Sequence, residues 1–134
     1  MTNSTLPTFA NPGSIAPPLG RYSHVAVAPA GARILAIAGQ VGNARDGTVA
    51  PDIEAQYAQA LRNIRAILES EGAGPEHLVK VNTYLVRPID RSVIAATRSE
   101  ILGEVQPPST MVFVAALALP ELLVEVEAWA ALPD

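Results

Sequence analysis

The sequence predicts an α+β domain, a mixed β-sheet with two helices on one face. Several short runs alternate apolar and small or polar residues with period two, as strands do. Between residues 51 and 70 the apolar period changes to about 3.6, as in an amphipathic helix. Capping residues and Gly/Pro turns separate these runs in the order β-β-α-β-α-β-β.

Residues 1–20 hold four prolines and many small polar residues, which predicts an irregular surface arm before the single domain spanning 1–134. YSHVAVAP (22–29) alternates and reads as a strand. PAGA (29–32) signals a turn and RILAIAG (33–39) a second strand, so the two are expected to form a hairpin. GNARDG (42–47) is a loop. From 51 to 70, Ile53, Tyr57, Leu61, Ile64, Ile67 and Leu68 fall on one helical face, with Pro51 suited to the first turn. GAGP (72–75) ends that helix. LVKVNTYLV (78–86) is a strand. Asp90 is a suitable N-cap for a second helix over 91–102, with Gly103 following it. TMVFVAALA (110–118) and LLVEVEAWA (122–130) read as two more strands joined around residues 119–121.

The chain has 134 residues, 49% hydrophobic and 16% charged, which suits one globular domain. It has no cysteine, so disulfides, a thiol nucleophile and thiolate metal sites are excluded. His24 and His77 are far apart, and no metal site is expected from them. The net charge is −4 without a basic patch, which argues against a nucleic-acid partner. Residues 111–132 are apolar enough to suggest a membrane span, but Pro120, Glu121, Glu125 and Glu127 interrupt them. With no targeting signal in the first twenty residues, a cytoplasmic location is the expectation.

The last strand carries the strongest functional hint. Alternation places Val124, Val126, Ala128 and Ala130 on one face. Leu123, Glu125, Glu127 and Trp129 share the other. With both helices on one side of the sheet, the opposite apolar face needs a cover, which predicts a homo-oligomer.

GRYSH (20–24), AGQ (38–40), QYAQALRNIRAILESEGAG (56–74), VKVNTYL (79–85) and LPELLVEVEAWA (119–130) occur in this order. The chain resembles the RidA/YjgF family, the reactive-intermediate deaminase group, from about residue 11 to 131. The resemblance implies a RidA/chorismate-mutase-like fold and a barrel-like homotrimer, with open sheet faces turned to the centre and ligand clefts between subunits. It implies hydrolysis of small imines and enamines with no metal and no organic cofactor. It makes Glu125 the carboxylate that holds the attacking water, and Tyr22 a cleft-lining residue.

One departure matters. Family members with deaminase activity carry P-A-R-[ST] before the penultimate strand, and that arginine grips the substrate's carboxylate. Here the stretch is PPST (107–110), with Ser109 at the arginine position and Thr110 after it. A charge-assisted hydrogen bond is worth about 1.5–3 kcal/mol, so its loss weakens carboxylate binding roughly 10–100-fold or more. Ala38 replaces the usual serine before GQ, and the asparagine common in the second helix is absent from IAATRSE (94–100). The chain therefore reads as a subgroup lacking the arginine, with a substrate that lacks an α-carboxylate.

Each candidate keeps a plainer alternative. Glu125 is a cleft carboxylate or a solvated strand residue. Glu127 is a structural hydrogen-bonding group, a partner of an arginine, or a second functional carboxylate. Tyr22 lines a pocket or packs in the core. Ser109 and Thr110 bind ligand or cap local backbone. Arg21 is a replacement anion anchor or a surface ion pair, and His24 a proton donor or an ordinary strand histidine. The leading function is a cofactor-free imine hydrolase at intersubunit clefts. The alternative is a small-molecule-binding trimer without turnover. Endoribonuclease activity, a label attached to this family, fits the acidic charge poorly.

Overall fold

The computed structural model describes residues 5–134; the first four residues of the expected arm lie outside them. Among the described residues there are two sheets. β1 (Thr8–Ala10) and β2 (Val25–Val27) form a small antiparallel pair. The main sheet contains β3 (Arg33–Val41), β4 (Leu78–Leu85), β5 (Ser109–Phe113) and β6 (Val124–Leu132), in the spatial order β3-β6-β4-β5. β6 runs antiparallel to both β3 and β4, whereas β5 is parallel to β4. α1 (Ile53–Ser70) joins β3 to β4, and α2 (Arg91–Leu102) joins β4 to β5. The sheet is thus mixed, and its two parallel crossovers are helical as such connections require.

Local chemistry sets the helix limits. The Asp52 carboxylate accepts the Ala55 N–H at 3.0 Å, so Pro51 precedes the cap and does not enter the first turn. At the other end Gly72 takes φ +74° and Ala73 N–H reaches Leu68 O at 2.8 Å, closing α1. Asp90 caps α2, accepting the Ser92 N–H at 2.8 Å. Gly103, at φ +76°, ends it.

One face of α1 supplies Ile53, Tyr57, Ala60, Leu61, Ile64 and Leu68 to the core. They meet Ile37, Val81, Leu85, Val124, Val126, Ala128 and Ala130 from the sheet. Gln56 is fully buried among them and its amide is satisfied. It donates to Ala50 O at 2.8 Å and Glu121 O at 3.0 Å, and accepts from Leu123 N–H at 2.9 Å. It thereby ties α1 to the chain entering β6. α2 packs against α1 and adds Ile101 and Leu102.

Three expectations are corrected. The segments at 22–29 and 33–39 do not pair with each other. The turn between them exists, with Ala32 N–H on Pro29 O at 3.2 Å, but β2 pairs with β1 and β3 pairs with β6. Period-two alternation marks extended chain without naming its partner. The nine residues of β3 satisfy far more backbone against the nine of β6 than against a three-residue strand. For the same reason, the expected arm is not wholly irregular, because β1 lies in it. The strand expected to reach residue 118 stops at Phe113, since its neighbour β4 ends opposite it at Leu85.

Candidate functional site

A groove of about 760 Å³ opens where α2 fails to cover the edge strand β5. Volumes of this order suit a small organic ligand. Leu85, Ile89, Ile94, Met111 and Phe113 give it an apolar lining. Four predicted site residues, Arg21, Tyr22, Ser109 and Thr110, converge on it.

Tyr22 is half-buried, and its hydroxyl accepts the Leu19 N–H at 3.2 Å. The buried Ser23 hydroxyl donates to Gln106 O at 2.7 Å, which fastens the Arg21–Tyr22 segment to the irregular stretch leading into β5. His24 stacks edge-on to Tyr22, with ring centroids 6.1 Å apart, and bonds Ala16 O through Nε2 at 2.7 Å. It holds the loop and is absent from the groove lining. Thr110 stands at the rim, where its hydroxyl accepts from Lys80 Nζ at 2.9 Å.

The sequence reading missed Arg98. It projects from α2 into the groove, and its guanidinium donates to Ser109 Oγ at 3.2 Å. Ser109 Oγ in turn donates to Pro107 O at 3.0 Å. The position at which the resemblance expects an arginine therefore has one beside it, supplied from another element. Arg91, Ile94, Ala95, Arg98 and Ser99 all line the groove, a three-and-four spacing along one side of α2. That spacing was readable, but not that this side of the helix faces a cleft and not solvent.

Glu125 is elsewhere. It lies on the opposite, open face of the sheet with Glu127 and Trp129, while Val124, Val126, Ala128 and Ala130 are buried beneath α1. Its side chain crosses Gly39, where an added Cβ would stand 1.9 Å from Oε2. Gly39 falls in the register shift between Ile37 and Gln40, so the irregular ladder and the missing side chain together make room for the carboxylate. Glu125 has no hydrogen-bond or ion-pair partner among the described residues.

Glu127 is the contrasting case. It accepts from the Tyr84 hydroxyl at 2.5 Å and from Asn82 Nδ2 at 3.2 Å, both on neighbouring β4. The bond to Glu127, helped by desolvation and by the charges of Glu127 and Glu125, raises the Tyr84 pKa above its usual value. A carboxylate tied in this way has a structural role.

One subunit therefore brings Arg21, Tyr22, Ser109 and Arg98 together on the helix side of the sheet, whereas Thr110, in register with Asn82 and Glu127, turns its hydroxyl to the open face that carries Glu125. Among the described residues no group of three or more His, Asp or Glu is arranged to hold a metal ion, and no helix is long and apolar enough to cross a membrane.

Comparison with known proteins agrees with this architecture. A RutC family protein of Pyrococcus horikoshii is 35% identical over 113 residues, covering 83% of this chain and 86% of that one. The crystal structure of YyfB, a Rid-family protein of unknown function from Yersinia pestis, superimposes with a TM-score of 0.83 at 33% identity, covering 94% and 98% of the two chains. RidA from an Antarctic Psychrobacter species gives 0.67 at 28% identity, covering 95% and 98%. Residues 13–132 match the family described as Endoribonuclease L-PSP. With this match over nearly its whole length, and with the RidA-like sheet and helices, the chain belongs to the RidA/YjgF/L-PSP family.

Proposed function

We propose that this protein is a cofactor-free hydrolase of small imines or enamines, acting at clefts between the subunits of a homotrimer. The groove beside β5 of one copy would hold the substrate, and Glu125 of a neighbouring copy would deliver water. The observation that carries this reading is the contrast between the two carboxylates on β6. Glu127 is saturated by Tyr84 and Asn82, whereas Glu125 is held against Gly39 with its oxygens uncommitted.

The chemistry needs only such a group. Water adds to the C=N carbon as Glu125 accepts one of its protons and passes it to the nitrogen, giving a carbinolamine. The C–N bond then breaks as Glu125 takes the hydroxyl proton and delivers it to the departing nitrogen. The products are a carbonyl compound and ammonia. Ser109 stands where the arginine of the P-A-R-[ST] motif is expected, which marks this chain as one of the family's divergent members.

The test is ammonia release from freshly generated imines, one carrying a carboxylate such as 2-iminopropionate and one without. At least one should be turned over, and Glu125→Gln should slow it about 100-fold or more. Turnover unaffected by Glu125→Gln removes this carboxylate from the mechanism. Saturable binding with no turnover of any imine makes the protein a binding trimer, and RNA cleavage that survives stringent purification replaces the reading altogether.

A further inference from the structure

We propose that Arg98 is the anion anchor of the groove and that the ligand is amphipathic, with one small oxyanion at Arg98 and an apolar body over Ile94, Met111 and Phe113. The proposal rests on reading the groove as the substrate-binding half of the site. It reverses the expectation that Ser109 leaves the site without a cation and selects a ligand lacking a carboxylate.

The charge balance around Arg98 favours an anion. A guanidinium has five N–H donors. Arg98 has a single hydrogen bond, to a neutral hydroxyl at 3.2 Å, and no ion pair among the described residues. The residue is half-buried, and partial desolvation makes a counter-charge or a further hydrogen bond to it favourable. Arg21 and Arg91 line the same groove, so its fixed charges are predominantly positive. The one carboxylate in the lining, Glu104, accepts from Ser99 Oγ at 2.8 Å and does not neutralise Arg98.

Ser109 positions the anchor. Its hydroxyl sits between Pro107 O and the Arg98 guanidinium, and it holds that guanidinium at the mouth of β5. An incoming carboxylate can take the free donors of the fork side by side, a geometry lysine does not provide. Arg98 also acts on the core behind it. The Tyr57 hydroxyl is buried without a hydrogen-bond partner among the described residues, and its pKa is pushed up to about 12 by desolvation, opposed by the Arg98 charge. The guanidinium thus lies between a dry core on one side and the open groove on the other. The apolar lining next to it gives the rest of the ligand hydrophobic contact.

The test is a binding measurement and needs no turnover. Titration calorimetry with 4-methyl-2-oxopentanoate and with its uncharged counterpart 4-methyl-2-pentanone would be run on the wild type, Arg98→Met, Arg98→Lys and Arg21→Met. The wild type should prefer the carboxylate by roughly 10–100-fold, as one charge-assisted contact allows. Arg98→Met should abolish the preference while leaving the weak affinity for the ketone. Arg98→Lys should retain only part of it. A wild type that binds both compounds alike, or neither, overturns the proposal. So does a preference that survives in Arg98→Met or is lost in Arg21→Met instead. Melting curves confirm folding, and Arg98→Lys keeps the test open should Arg98→Met destabilise the core. The carboxylate preference is readable even if no imine is hydrolysed, and Glu125-dependent turnover is readable even if the anchor lies elsewhere.

Discussion

Two glutamates two positions apart on one strand face have different fates because of what stands next to each. β4 presents Tyr84 and Asn82 to Glu127, and β3 presents the bare backbone of Gly39 to Glu125. Alternation along LVEVEAWA was enough to place both on the open face, and the pairing partners were not in the alternation. Arg98 was hidden for a related reason. Its position on α2 was readable, but only the absence of helix cover over β5 shows that it faces a cleft. The Glu127 bond has a measurable consequence. In Glu127→Gln the Tyr84 hydroxyl should titrate lower, back towards the usual phenol value of about 10, followed through its ring carbon resonance by NMR. The raised value means that the stability linked to this proton is complete below about pH 10 and is lost as pH rises through the folded value. An unchanged titration in Glu127→Gln would show that the bond is not kept in solution.

Both helices follow from period and caps, and the buried stripe Tyr57, Leu61, Ile64 and Leu68 is the stripe the sequence displays. Strand partners were less legible, because a short strand joins whichever edge completes its ladder; β2 took β1. A buried glutamine at the core edge of α1 was not legible at all. Gln56 makes three hydrogen bonds to Ala50, Glu121 and Leu123, and so determines where the chain enters β6 two residues before Glu125. Gln56→Leu preserves much of the volume and orphans two carbonyls and one N–H. At about 1–3 kcal/mol for each buried group left unpaired, the loss should be roughly 3 kcal/mol after partial rehydration of the loop. Chemical denaturation would measure it. A loss under about 1 kcal/mol would mean that the loop finds other partners.

At the scale of the molecule, the main sheet has α1 and α2 on one face and, among the described residues, no layer on the other. Ile34 is 62% exposed and Trp129 45% exposed on that face, and Glu125 lies between β3 and β4 on the same surface. The open face was legible from helix count and strand alternation, whereas what covers it belongs to the proposed trimer. Sedimentation should give a trimer for the wild type. Trp129→Lys should shift it towards monomer, since a central aromatic commonly contributes 2 kcal/mol or more, or about 30-fold, to association. A Trp129→Lys protein that remains trimeric would place the contact elsewhere. The placement of Glu125 and Arg98 on opposite faces of one sheet also has a genetic meaning. In the proposed ring, an allele that destroys the carboxylate and an allele that destroys the groove damage different neighbours' clefts. A cell carrying one of each would assemble mixed rings in which some intact grooves meet intact carboxylates. Such lesions would complement each other, whereas two lesions in the same half would not.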